Sequence, residues 1–112
     1  MVLRLAASLA LLPVMLAGVA FAQVRTPPIP ADSYRAVIRH LGSMAVAVDG
    51  NLVQLAPGAQ IRDQQNLIIV PMSIPPDGAW ADFIVNADGQ VYRVWLLTPD
   101  ELAVPKPRVG GG

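Results

Sequence analysis

Met44-Ala-Val-Ala-Val48, Asp49-Gly50, Asn51-Leu-Val-Gln-Leu55 is the stretch whose reading decides the fold. An apolar, Val-containing run meets Asp-Gly, two residues that tolerate positive φ, and a second run of strand-forming residues follows. That is the signature of a tight β-hairpin. Downstream, Ala56-Pro57-Gly58 reads as a turn with Pro and Gly in type II order, and Ala59 to Arg62 as a short extended piece. Asp63-Gln-Gln-Asn66 reads as a polar loop. Leu67-Ile-Ile-Val70 is an unbroken apolar run closed by Pro71, the pattern of a strand buried on both faces. Pro75-Pro-Asp-Gly78 is another turn, Ala79 to Val85 a strand, and Asn86 to Gly89 a connecting loop. Gln90 to Leu97 is the last strand. Along it Val91, Arg93, Trp95 and Leu97 alternate with Tyr92, Val94 and Leu96. Thr98-Pro99 offers an N-cap and a first-turn proline for a single helical turn.

Upstream of the hairpin, Asp32 to Gly42 carries two patterns at once. Tyr34, Val37, Ile38 and Leu41 fall at helical spacing with Asp32 or Ser33 as cap, yet Val and Ile at the centre also suit a strand. The whole reads as all-β: a small single-domain barrel or sandwich of about six to seven short strands with a turn between each.

The chain opens with Met1-Val-Leu-Arg4, then an uncharged apolar run that ends in Ala20-Phe21-Ala22. A short basic start, an apolar stretch and small residues at the cut site predict a cleaved secretory signal over 1–22. The rival is an N-terminal anchor, because the uncharged run to Val24 is long enough to span a bilayer. Ala content and Pro13 argue for cleavage. No Cys follows the run, so a lipid-modified terminus is excluded. The expected organisation is therefore signal peptide 1–22, Pro-rich linker 23–32, β domain 33–102 and a disordered Pro/Gly tail 103–112.

Seven basic and eight acidic residues from Gln23 onward leave no basic footprint, which argues against nucleic acid as a partner. Small exported domains usually lean on disulfides, but this chain has no Cys and must hold together by burial alone. That favours a closed barrel or sandwich, or a homo-oligomer, over an open sheet.

Val48-Asp-Gly50, Leu55-Ala-Pro-Gly-Ala-Gln-Ile-Arg-Asp63, Asn66-Leu67, Val70, Gly89-Gln-Val91 and Val94-Trp-Leu-Leu-Thr98 resemble a pattern shared by short secreted proteins of Gram-negative bacteria. The match covers most of Pro30 to Glu101. It implies an architecture rather than an activity, and it implies a strand over Arg35 to His40. The chain departs from the pattern at Ser43-Met44-Ala45, where members of that group often carry Pro-Pro.

Catalytic constellations are thin. A nucleophilic triad needs a His held by an acid, and His40 has no Ser or Asp at telling spacing. Asp77, Asp82, Asp88, Asp100 and Glu101 supply carboxylates, but four of the five sit in or beside turns, where Asp is a turn former. For a metal, His40 and Met44 are four apart and Met72 could approach across a sheet. Imidazole with thioether suits copper, although Met more often fills core gaps. The most distinctive polar group is Arg62-Asp63 with Asn66, which could bind a ligand or simply fasten its loop. Trp80 and Trp95 could form a binding platform or fill the core.

The resulting expectation is a periplasmic or secreted, non-enzymatic β-module without cofactor. It binds an envelope protein or cell-surface component, touching the membrane only through its signal before cleavage. The candidate binding residues are Arg62, Asp63, Asn66 and Trp95, and the alternative is a small periplasmic ligand- or metal-binding protein.

Overall fold

The computed structural model describes residues 24–106. The expected signal segment and the end of the expected tail lie outside the described residues. Among the described residues no helix is long and apolar enough to cross a membrane.

Six strands form one sheet that closes on itself: β1 (Tyr34–Gly42), β2 (Ala45–Val48), β3 (Asn51–Arg62), β4 (Ile68–Ile69), β5 (Ala79–Val85) and β6 (Val91–Leu96). Their order is β2-β1-β5-β6-β3-β4, and β2 also pairs with β3, so five strands make a ring and β4 hangs on the far end of β3. A barrel of this kind removes most free edges, which suits a chain with no covalent cross-link.

The β2–β3 hairpin turns at Asp49 (φ 48°) and Gly50 (φ 87°), so both central residues adopt the positive φ of a type I′ turn. Asp49 also fastens this turn to β1: its Oδ1 accepts from the Val37 amide at 2.9 Å, and its own amide donates to the Val37 carbonyl at 2.9 Å. The ambiguous segment is a strand. Two ladders decide it: β1 pairs along one edge with β2 and along the other with β5, and tertiary pairing overrides the helical spacing.

Alternate residues face a common interior. Ala36 and Ile38 of β1, Val46 and Val48 of β2, Leu55 and Ile61 of β3, Ala81 and Phe83 of β5, and Val91, Val94 and Leu96 of β6 form the core, with Ile74 plugging it from the loop before β5. Gly78 precedes β5 because there is no room for more: a Cβ there would stand 2.9 Å from the Val37 Cγ1.

Four expectations need correction. Pro57-Gly58 does not separate two strands: β3 runs through it, and five residues of β3 advance from Leu55 to Gln60 while β6 advances two, from Val91 to Arg93. The surplus is taken up as a bulge, with Gly58 at φ 77°. Leu67–Val70 is not a strand buried on both faces. Only Ile68–Ile69 pairs, against Arg62 and Ile61, and Leu67, Ile68 and Val70 are exposed because this stub flanks one end of the ring. The Pro-rich segment is no free linker, since Arg25 is buried against the domain. The described start of the expected tail is docked too, with Val104 and Lys106 bonded to β1 and β5 side chains.

The helical turn is as the sequence suggests. α1 (Pro99–Ala103) begins with a capping box: the Thr98 hydroxyl accepts from the Glu101 amide at 3.2 Å, and a Glu101 carboxylate oxygen accepts from the Thr98 amide at 2.9 Å.

Candidate functional site: the outer face of β3, β5 and β6

Residues that do not face the core line up across the outside of the barrel. Arg35 on β1 is in register with Asp82 on β5, Asp82 with Trp95 on β6, and Trp95 with Arg62 on β3. The first and the last described segments are both strapped over this row.

At the Arg35–Asp82 end the row is closed. Arg35 Nε donates to Asp82 Oδ1 at 2.8 Å, and Nη2 to Oδ2 at 3.3 Å. Lys106 Nζ reaches the same carboxylate at 3.2 Å and donates to the Ser33 hydroxyl at 2.6 Å. Arg35 also donates to the carbonyls of Glu101, Leu102 and Val104. A buried carboxylate thus has two cations beside it, and the guanidinium has acceptors on every side.

Arg25 fastens the other strap. Its Nε and Nη2 donate to the two Glu101 carboxylate oxygens at 2.7 and 2.9 Å, a bidentate pair. Nη1 donates to the Asp63 carbonyl at 2.8 Å and the Asn66 Oδ1 at 3.2 Å, and Nη2 to the Leu96 carbonyl. Burial raises the Glu101 pKa, but hydrogen bonds from Arg25 and the Thr98 amide, with the charge of Arg25, outweigh that and hold it below its ordinary value. A cleft of about 520 Å³ lies over Arg25, Arg35, Asp82 and Glu101. Those four charges are already paired, Arg25 with Glu101 and Arg35 with Asp82, which makes it a seam between straps and barrel rather than a free contact surface.

The other half of the row is different. A cleft of about 420 Å³ is lined by Pro27, Pro28 and Pro30 on one side and by Arg62, Trp95 and the Tyr92–Arg93 pair on the other, with Gln60, Asn66 and Ile84 completing it. Trp95 forms its floor and is 8% exposed. Arg93 stacks on the Tyr92 ring with its guanidinium carbon 3.8 Å from the ring centroid, and donates to the Tyr92 hydroxyl at 3.1 Å. Arg62 Nη1 donates to the Asn66 carbonyl at 2.8 Å. Among the described residues neither Arg62 nor Arg93 has an ion-pair partner, and no carboxylate lines this cleft.

Three of the four candidate residues, Arg62, Asn66 and Trp95, therefore meet on one surface. The fourth does not. Asp63 Oδ1 accepts from the amides of Gln65 and Leu67, both at 2.9 Å, so its carboxylate fastens the loop, and Arg62 bonds to Asn66 rather than to Asp63. Trp95 is buried, but outside the main core, and it lines the cleft together with the prolines. Reading the sequence missed Tyr92, Arg93 and the prolines as cleft residues. The adjacent Tyr-Arg pair carried a signal of its own, while nothing local placed the N-terminal segment on β6.

Chemically the cleft offers two guanidinium groups, a flat aromatic floor and rigid apolar walls. By charge and shape that arrangement suits an anionic group with a flat or apolar neighbour. It has no nucleophile paired with a base, and among the described residues no three His, Asp or Glu side chains converge as a metal cluster. Comparisons with protein-family models, with curated proteins and with solved structures return no match to this chain.

Proposed function

We propose that this chain is a small exported β-module that works by binding rather than by catalysis. In this reading it acts in the periplasm or outside the cell, on an envelope protein or cell-surface component. The cleft over Trp95 is its contact surface, and the group it recognises is anionic with a flat or apolar neighbour. The observation that carries the reading is the pair of cations, Arg62 and Arg93, on an aromatic floor with no carboxylate among the lining residues. Support for the location comes from the leader pattern over 1–22 and the resemblance to short secreted proteins of Gram-negative bacteria.

A photo-activated cross-linking residue at Gln60, on the cleft wall, tests this in intact cells. The expected result is a discrete adduct from Gln60 and none from the same residue at Asp77, an exposed turn position away from the cleft. Adducts of equal yield from both positions, or from neither, contradict the reading.

A further inference from the structure

A third surface shares no residue with the Trp95 cleft. A pocket of about 280 Å³ is lined by His40, Ser43, Met44, Val70, Pro71 and Met72. His40 stands near the end of β1, Ser43 and Met44 in the turn to β2, and Met72 in the single 3-10 turn Pro71–Ser73 that follows β4. His40 is the only His of the chain, and Met44 and Met72 are the only two of its four methionines that follow the leader. The fold brings all three to one place.

We infer that this pocket is a binding site for monovalent copper, with His40, Met44 and Met72 as its ligands. The usual reason for a methionine, filling a gap in the core, does not apply. Met44 is 40% exposed and Met72 76% exposed, and neither belongs to the core cluster. Their thioethers are carried on flexible stems in the lining of a pocket whose only imidazole is that of His40. The imidazole is already oriented: its Nε2 lies 2.9 Å from the Ser43 carbonyl oxygen. A carbonyl accepts only, so Nε2 is the donor of this bond, and in the neutral imidazole that leaves Nδ1 as the nitrogen with the lone pair. A metal-ligating His normally has one ring N–H held by a carbonyl or carboxylate in this way. The Ser43 carbonyl is presented by a tight turn in which Ser43 itself adopts φ 49°.

The donor set selects the ion. Two thioethers and one imidazole are soft to borderline ligands, and no carboxylate lines the pocket. Magnesium and calcium need oxygen donors, and zinc sites are built from thiolate, imidazole and carboxylate. Monovalent copper is the first-row ion that thioether and imidazole favour together.

The test is an anaerobic titration of the purified protein with Cu(I) in competition with bicinchoninate, and with Ag(I) as a redox-inert probe. The expected result is one ion per chain, with binding weakened by about tenfold or more in His40→Ala and in the Met44→Leu/Met72→Leu double variant. Circular dichroism shows whether each variant is folded. If His40→Ala is not, ¹⁵N NMR of the wild type replaces it, with Ag(I) expected to shift His40 Nδ1 and leave Nε2 protonated. Failure to hold Cu(I) against bicinchoninate overturns the inference. So does undiminished binding by the folded double variant, or a His40 Nδ1 resonance that Ag(I) does not move.

Discussion

Asp82 on β5 lies directly opposite Trp95 on β6, both on the outer face of the barrel, and the two divide that face into a closed half and an open half. On the Asp82 side, charges satisfy one another beneath the C-terminal strap. On the Trp95 side, two arginines stand beside the N-terminal prolines without acidic partners among the described residues.

Replacing Asp82 with Ala leaves the buried Arg35 guanidinium without its carboxylate, and Lys106 with it. Removing one partner of a buried pair costs about 3–5 kcal/mol. In a disulfide-free domain of this size that approaches total stability. Urea unfolding of Asp82→Ala should show a large fall in midpoint, and an unchanged midpoint would show that the pair is not formed.

Trp95→Ala should cost on the order of 3 kcal/mol, because the indole is covered although it lies outside the main core. Trp95→Phe should keep most of that stability while reducing the stacking surface of the cleft. Denaturant unfolding of the two variants side by side checks this. If both unfold at the wild-type midpoint, the prolines do not pack on Trp95.

The C-terminal strap gives a prediction opposite to that drawn from composition. Ala103 to Lys106 reads as the start of a tail, but Val104 supplies an acceptor to Arg35, and Lys106 bonds Asp82 and Ser33. A chain ending at Leu102 should therefore melt several degrees lower, at roughly 4–8 °C for each kcal/mol lost in a domain of this size. A thermal midpoint equal to the full-length protein's would return these residues to the status of a tail.

Those straps mark where reading the sequence stopped. The hairpin at Asp49-Gly50, the cap at Thr98-Pro99 and the last strand were legible because each rests on chemistry within a few residues. Leu67–Val70 misled because an apolar run carries no record of whether its neighbours cover it, and here only the barrel rim was available. Arg25 and Glu101 stand 76 residues apart, and no local pattern links two charges at that distance. The same divide holds for the site. Arg62 and Asn66 stood out as a polar cluster beside a loop, whereas Asp63 fastens its own loop and does not line the cleft, a difference invisible in sequence because an acid that binds a partner and one that caps its own loop look alike there.

Glu101 links the straps to pH. Its folded pKa lies below its ordinary value, so the stability it contributes is fully present above that ordinary value and is lost as pH falls through the folded pKa. Thermal melts from neutral pH down into this acid range should show a steeper loss for wild type than for Glu101→Gln, which starts lower at neutral pH. Parallel curves for the two proteins would mean that the Arg25–Glu101 pair does not fasten the N-terminal segment in solution.

The most direct test of the binding reading is capture from an envelope extract with immobilised wild-type protein and with Arg62→Glu/Arg93→Glu, both shown to be folded. Both side chains sit on the cleft without ion-pair partners among the described residues, so their reversal should leave the barrel standing and invert the charge of the contact surface. The account predicts a component retained by the wild type, released by raised salt and absent from the variant. A variant that retains the same components as the wild type, at the same salt, would contradict it.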